Sequence, residues 1–87
     1  MLKDKETMED LKYLLGNIGI EILMAIHHGA KDHETIKLFS GIPISCIKGR
    51  IPVLLDLNLI MKIDDEYHLK ERGLIFKEKL DKERKSK

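Results

Sequence analysis

Ser40-Gly41-Ile42-Pro43 is the most restrictive stretch in the chain. Glycine takes the left-handed backbone that ends a helix at little steric cost. Proline suits the first turn of a new helix, where its missing N–H would be unpaired anyway. The stretch therefore predicts one helix stopping near Ser40 and another starting near Pro43, joined by a tight turn. The second helix carries its own stop signal in Leu57-Asn58-Leu59-Ile60, because asparagine is second to glycine as a left-handed cap. Leu59 to Ile63 then reads as a strand. From Asp32 to Leu69 the order is helix, tight turn, helix, two-stranded hairpin.

A chain of 87 residues is one domain, and one this small buries too little surface to be more than marginally stable alone. A partner subunit would help it. With 43% hydrophobic and 36% charged residues it is a folded chain rather than a disordered one. Net charge is +1, so affinity for nucleic acid has to come from local clustering. The single cysteine, Cys46, excludes an internal disulfide framework and suits a reducing cytosol; the expected location is cytoplasmic. No apolar run approaches the ~18 residues of a membrane span, and the charged N-terminus does not read as a signal peptide. Internal repeats and low-complexity segments are absent.

Before the central stretch come two more helical patterns. Met1 to Lys5 is a polar lead-in. Thr7 suits a helix cap, with Asp10 three residues on. Met8, Leu11 and Leu15 form an apolar stripe, Gly16 closes it, and Asn17 can cap the next helix. This first helix covers its own domain or helps build a dimer surface. From Ile18 to His28, the inward face is Ile22, Leu23 and Ile26, with Ile18 and Met24 beside them. Gly29 ends it, and His27-His28 lie in the last turn, where the helix dipole favours a protonated imidazole. Asp32 is a good cap for the helix from His33 to Ser40, whose inward residues are Ile36 and Phe39.

The helix from Pro43 to Leu57 buries Ile47, Ile51 and Leu54. Its outward first half holds Ser45, Cys46, Lys48 and Gly49, with Arg50 at the border. Helix, tight turn, helix and hairpin form the layout of a winged helix-turn-helix, whose second helix puts its N-terminal residues at base edges. Serine, lysine and arginine can all donate there, lysine and arginine favouring guanine. Gly49 leaves room for close approach of the backbone to DNA. Lys31, Lys37 and His33 are placed for phosphates, with Glu34 opposing them; an ordinary solvated face explains each of these residues equally well. Pro52 is the anomaly: inside a helix it removes one hydrogen bond and clashes with the carbonyl four residues back, at a cost of about 3 kcal/mol. It predicts a bend near Lys48 to Pro52 with the register kept. Val53, Leu55 and Leu57 exceed what the inner stripe needs, so some of them are expected to face a partner or the extra first helix. Oxidation of Cys46 would obstruct a groove contact, although a partly buried cysteine is usually inert.

Met61 to Ile63 and Tyr67 to Leu69 read as paired strands, with Asp64-Asp65-Glu66 connecting them. That tip is acidic, whereas a wing entering a minor groove normally carries arginine or lysine. Lys62 and His68 on the strands are better placed for backbone contacts. Leu69, Gly73, Phe76 and Leu80 form a short heptad-like seam on a last helix. The seam can pair across a dimer or cover the protein's own sheet, and the small size of the domain favours the dimer. The tail from Lys82 is mostly basic, suited to non-specific contact with DNA.

The run from Ser40 to Leu54, followed by Leu57-Asn58-Leu59-Ile60, resembles the bacterial and archaeal winged-helix regulators of the MarR/ArsR/PadR-like superfamily. Their pattern is a small residue–glycine–aliphatic turn, a helix with spaced aliphatics, and a glycine-led entry to the wing, where Asn58 stands here. Tyr67-His68-Leu69-Lys70-Glu71-Arg72-Gly73 is similar to their second wing strand and the Leu-Thr-x-x-Gly start of the final helix, with Lys70 in place of threonine. Small archaeal winged-helix proteins share the layout. The likeness spans about Ile18 to Leu80. It implies a DNA-binding transcription factor, often a homodimer on a palindromic site.

The expected fold is mostly α with a small β-hairpin: a winged helix-turn-helix with an extra N-terminal helix and a C-terminal helix. The single domain 1–87 divides into a core at 18–69, a last helix at 70–84 and a frayed tail at 85–87. The expected partner is double-stranded DNA, bound by Ser45, Cys46, Lys48, Gly49, Arg50, Lys31, Lys37 and Lys62. A homodimer is expected through the N- and C-terminal helices, with no membrane contact. No enzyme motif, cofactor or metal is expected; His27, His28, His33 and His68 make no zinc pattern. The alternative is a winged helix used for protein–protein contact, favoured by the near-zero net charge, the acidic tip and the surplus apolar residues.

Overall fold

The structure is a computed structural model and describes residues 8–85. Its elements run α1 (Met8–His27), α2 (His33–Ser40), α3 (Ile44–Asp56), β1 (Ile60–Ile63), β2 (Glu66–Leu69) and α4 (Glu71–Lys85). The chain is mostly helical with one small antiparallel hairpin. The Thr7 cap, the polar lead-in and residues 86–87 of the tail lie outside the described residues.

Local chemistry closes α1, α2 and α3. The two helices expected on either side of Gly16 lie in one element, α1, and meet at a kink where Gly16 has φ 66° and ψ 177°. At the end of α1, the Ala30 N–H donates to the Ala25 carbonyl and the Gly29 N–H to the Ile26 carbonyl, both at 3.0 Å. Asp32 caps α2 by accepting the Thr35 N–H at 2.8 Å, and that bonding holds its carboxyl below the usual carboxylate range. Gly41 ends α2 at φ 78°, its N–H donating to the Lys37 carbonyl at 2.7 Å. The Ser40 hydroxyl completes the corner, donating to the Ile36 carbonyl at 2.6 Å and accepting the Ile42 N–H at 3.1 Å. The axes of α2 and α3 turn through 107° across this corner. Asn58 stops α3 at φ 62°, with Asn58 N–H to Leu55 carbonyl at 3.0 Å and Leu59 N–H to Leu54 carbonyl at 3.1 Å. This is the paired-bond pattern of a left-handed helix cap.

The core draws on every helix and on the hairpin. Leu15, Ile22 and Leu23 from α1 meet Ile36, Ile47, Leu54, Leu59, Tyr67, Phe76 and Leu80, and no polar or charged side chain among the described residues is buried with them. Three expectations are decided here. Phe39 is not inward: Ile36 is buried but Phe39 is 53% exposed. Val53, Leu55 and Leu57 pack against the chain's own core, the inward of their two alternatives. The Gly73, Phe76 and Leu80 seam is also spent inside the chain, with Phe76 and Leu80 buried. A Cβ on Gly73 would collide with the Leu59 carbonyl oxygen, so α4 can pass this close to the entry of β1 only where it carries no side chain. Lys12 on α1 and Glu83 on α4 pair at 2.8 Å.

Two residues with positive φ, Asp64 at 50° and Asp65 at 67°, make the hairpin turn, and aspartate is among the few side chains that accept this region. Glu66 belongs to β2, opposite Ile63, and Lys62 pairs with Tyr67. The hairpin is tied back to the α1–α2 loop. The Tyr67 N–H donates to the Lys31 carbonyl at 2.9 Å, and the Tyr67 hydroxyl lies 3.2 Å from His33 Nε2. No single helix among the described residues is long and apolar enough to cross a membrane.

Candidate nucleic-acid interface

The outer side of α3 follows from its inner side. Ile47, Ile51 and Leu54 are buried at helical spacing, which leaves Ser45, Lys48, Gly49 and Pro52 on the outer side, at i, i+3, i+4 and i+7. Lys48, Gly49 and Pro52 are exposed, and Ser45 is exposed with them. Nothing lies within 4 Å of where a Gly49 Cβ would stand. Arg50 is half-buried, at the border where its spacing puts it. Cys46 is turned further inward than its place in the outward set suggests, and it packs against the core. α3 continues through Pro52 as one helix with its buried stripe in register, so the proline's missing bond to Lys48 falls on the solvent side.

The charge on the first half of this side is basic, with Asp56 exposed at its far end. α3 has no acidic residue in its first turn, and Pro43 supplies no side-chain cap, so the positive end of the helix dipole is not offset there. Lys48 and Arg50 make no ion pair among the described residues. The same holds for Lys37, exposed on α2, and for Lys31, half-buried in the α1–α2 loop.

The hairpin differs. Lys62 sits 3.9 Å from Asp65 and 5.7 Å from the centre of the Tyr67 ring, so the tip's own carboxylate offsets its charge. Asp64 and Asp65 stand exposed at that tip. His33, a phosphate candidate by position, is held by Tyr67 and serves to seat the hairpin. Spacing could not have found that link, because the two residues are 34 apart and join only through the tertiary fold.

At the far end of α1, His27 is half-buried beside Lys77 and Asp81, which pair with each other at 2.7 Å. Burial, and then the Lys77 charge, lowers its pKa. No group of three or more histidine, cysteine, aspartate or glutamate residues that could hold a metal ion occurs among the described residues. No family model, no curated protein and no solved structure matches the chain.

Proposed function

We propose that the chain is a winged helix-turn-helix transcriptional regulator that binds double-stranded DNA as a homodimer, with α3 in the major groove. The observation that carries this reading is the open face of α3: Ser45, Lys48 and Gly49 exposed, with basic side chains unclaimed by any acidic partner among the described residues. The 107° corner between α2 and α3 supports it, since helix-turn-helix pairs cross at about 90–120°. In this reading Ser45, Lys48 and Arg50 meet base edges, and Lys31 and Lys37 meet phosphates. Cys46 and Lys62 are weaker members of the set, one facing the core and the other paired to Asp65.

The test is selection of duplexes from a random pool, followed by anisotropy titrations of the selected site. Arg50→Ala and Lys48→Ala are expected to weaken binding by about 1–3 kcal/mol if each reads a base. No complex with any duplex at low salt would overturn the reading. The second reading, a protein-contact module, is favoured by the acidic tip at Asp64 and Asp65. It no longer draws on Val53, Leu55 and Leu57, which the core uses.

A further inference from the structure

We propose that Tyr67 is a positioning residue for DNA binding: from β2 it fixes the main chain of Lys31, so the hairpin serves the interface through the α1–α2 loop instead of entering a groove itself. The inference rests on the DNA-binding reading and names the residue that presents one of its phosphate contacts.

The hairpin is poorly equipped to meet DNA directly. Its two basic residues each have an acidic neighbour: Lys62 stands 3.9 Å from Asp65, and His68 Nε2 stands 3.4 Å from Glu66. Asp64 and Asp65 are exposed at the turn between the strands. Such a tip meets phosphate with like charge, whereas segments that enter the minor groove carry arginine or lysine.

What the hairpin does supply is Tyr67. At 7% exposure it is too buried to be a contact itself. Its N–H and its hydroxyl go to either side of Asp32, the residue that caps α2. The N–H donates to the Lys31 carbonyl at 2.9 Å, and the hydroxyl lies 3.2 Å from His33 Nε2. The Tyr67 and His33 rings lie 5.6 Å apart with a tilt of 31°, so the grip has a ring contact as well as two polar ones. Connecting segments are ordinarily the more mobile part of a fold. Here the connection that carries Lys31 is tied to a strand, and Lys31 makes no ion pair among the described residues. A cation on a fixed backbone loses less conformational freedom when it meets a phosphate, and freedom lost on binding is subtracted from affinity.

Anisotropy titrations on the selected duplex test this, with every variant checked by circular dichroism to be folded. Tyr67→Phe removes the hydroxyl and keeps the ring and the N–H. It is expected to weaken binding about two- to tenfold, the worth of one hydrogen bond. The slope against salt should stay as in the wild type, because every cation is still present. On a Lys31→Ala background the same change should cost little more, and on an Arg50→Ala background it should cost its full amount. A residue that only stabilised the fold would leave the affinity of the folded chain unchanged. His33→Ala should reproduce the loss, and His33→Gln, which puts an amide where Nε2 was, should recover it. Wild-type affinity in Tyr67→Phe, or full additivity with Lys31→Ala, would overturn the inference. Amide hydrogen exchange of the free chain reads the tie without DNA. The Tyr67 amide should be protected in the wild type and exchange about two- to tenfold faster in His33→Ala. An unprotected Tyr67 amide also overturns the inference. Failure of the DNA reading has a different signature: a protected Tyr67 amide in a wild-type chain that shifts no duplex, in which case the tie stands and its role in binding falls with that reading.

Discussion

At the scale of the residue, Gly73 shows how one missing side chain sets an element's position. Its absent Cβ is where the Leu59 carbonyl oxygen sits, so Gly73→Ala should destabilise the fold by about 1–3 kcal/mol, the usual range for forced overpacking, in urea unfolding. The sequence puts Gly73 in an apolar seam but does not show what approaches it, because Leu59 comes from a distant stretch of chain. His27 gives a second residue-scale prediction. Burial and Lys77 hold its folded pKa below the ordinary histidine value of about 6.5. The unfolded chain therefore takes up the proton first. Stability attributable to His27 is complete above that value and falls as pH drops toward the folded pKa. Thermal unfolding between pH 7.5 and 5.5, a range of about one unit on either side of the ordinary value, should show a smaller drop for His27→Gln than for the wild-type chain.

At the scale of the element, the helix ends were legible and the helix faces were legible only in part. Asp32, Gly41, Asn58 and Gly29 act through bonds within a few residues, so their chemistry can be read in order along the chain. Phe39 could not be read this way. Spacing says which residues share a face, but not whether a neighbouring helix reaches far enough to cover the last of them. Pro52 lies between these cases: α3 absorbs it on the exposed side without losing its stripe. Pro52→Ala should stabilise the chain by about 2 kcal/mol, from a helix penalty of about 3 less up to about 1 for a freer unfolded chain, checked by chemical denaturation.

At the scale of the whole molecule, stability and DNA binding should part company at Gly49. Its side is open in the free chain, so Gly49→Ala should raise stability by about 1 kcal/mol. If the duplex approaches the backbone there, the same change should lower DNA affinity, a combination that calorimetry and anisotropy would reveal together. Salt dependence reads the phosphates: Lys31→Ala should flatten the slope of log affinity against log salt by about 0.9 for each phosphate it no longer neutralises. The expected site divides along the same line. Ser45, Lys48, Gly49 and Arg50 stand where their spacing put them, while Cys46 packs against the core and Lys62 is exposed with Asp65 3.9 Å away.

The order of elements, the corner at Gly41 and the inner stripe of α3 were determined by the chain alone, since each depends on backbone preferences and spacing over one or two turns. Tertiary structure decided which apolar surfaces were consumed. Phe76, Leu80, Val53 and Leu55 went to the core, and Leu38 and Phe39 were left outside. A sequence can count the apolar residues on a face, but burial is a property of the opposing surface, and that surface exists only once distant segments meet.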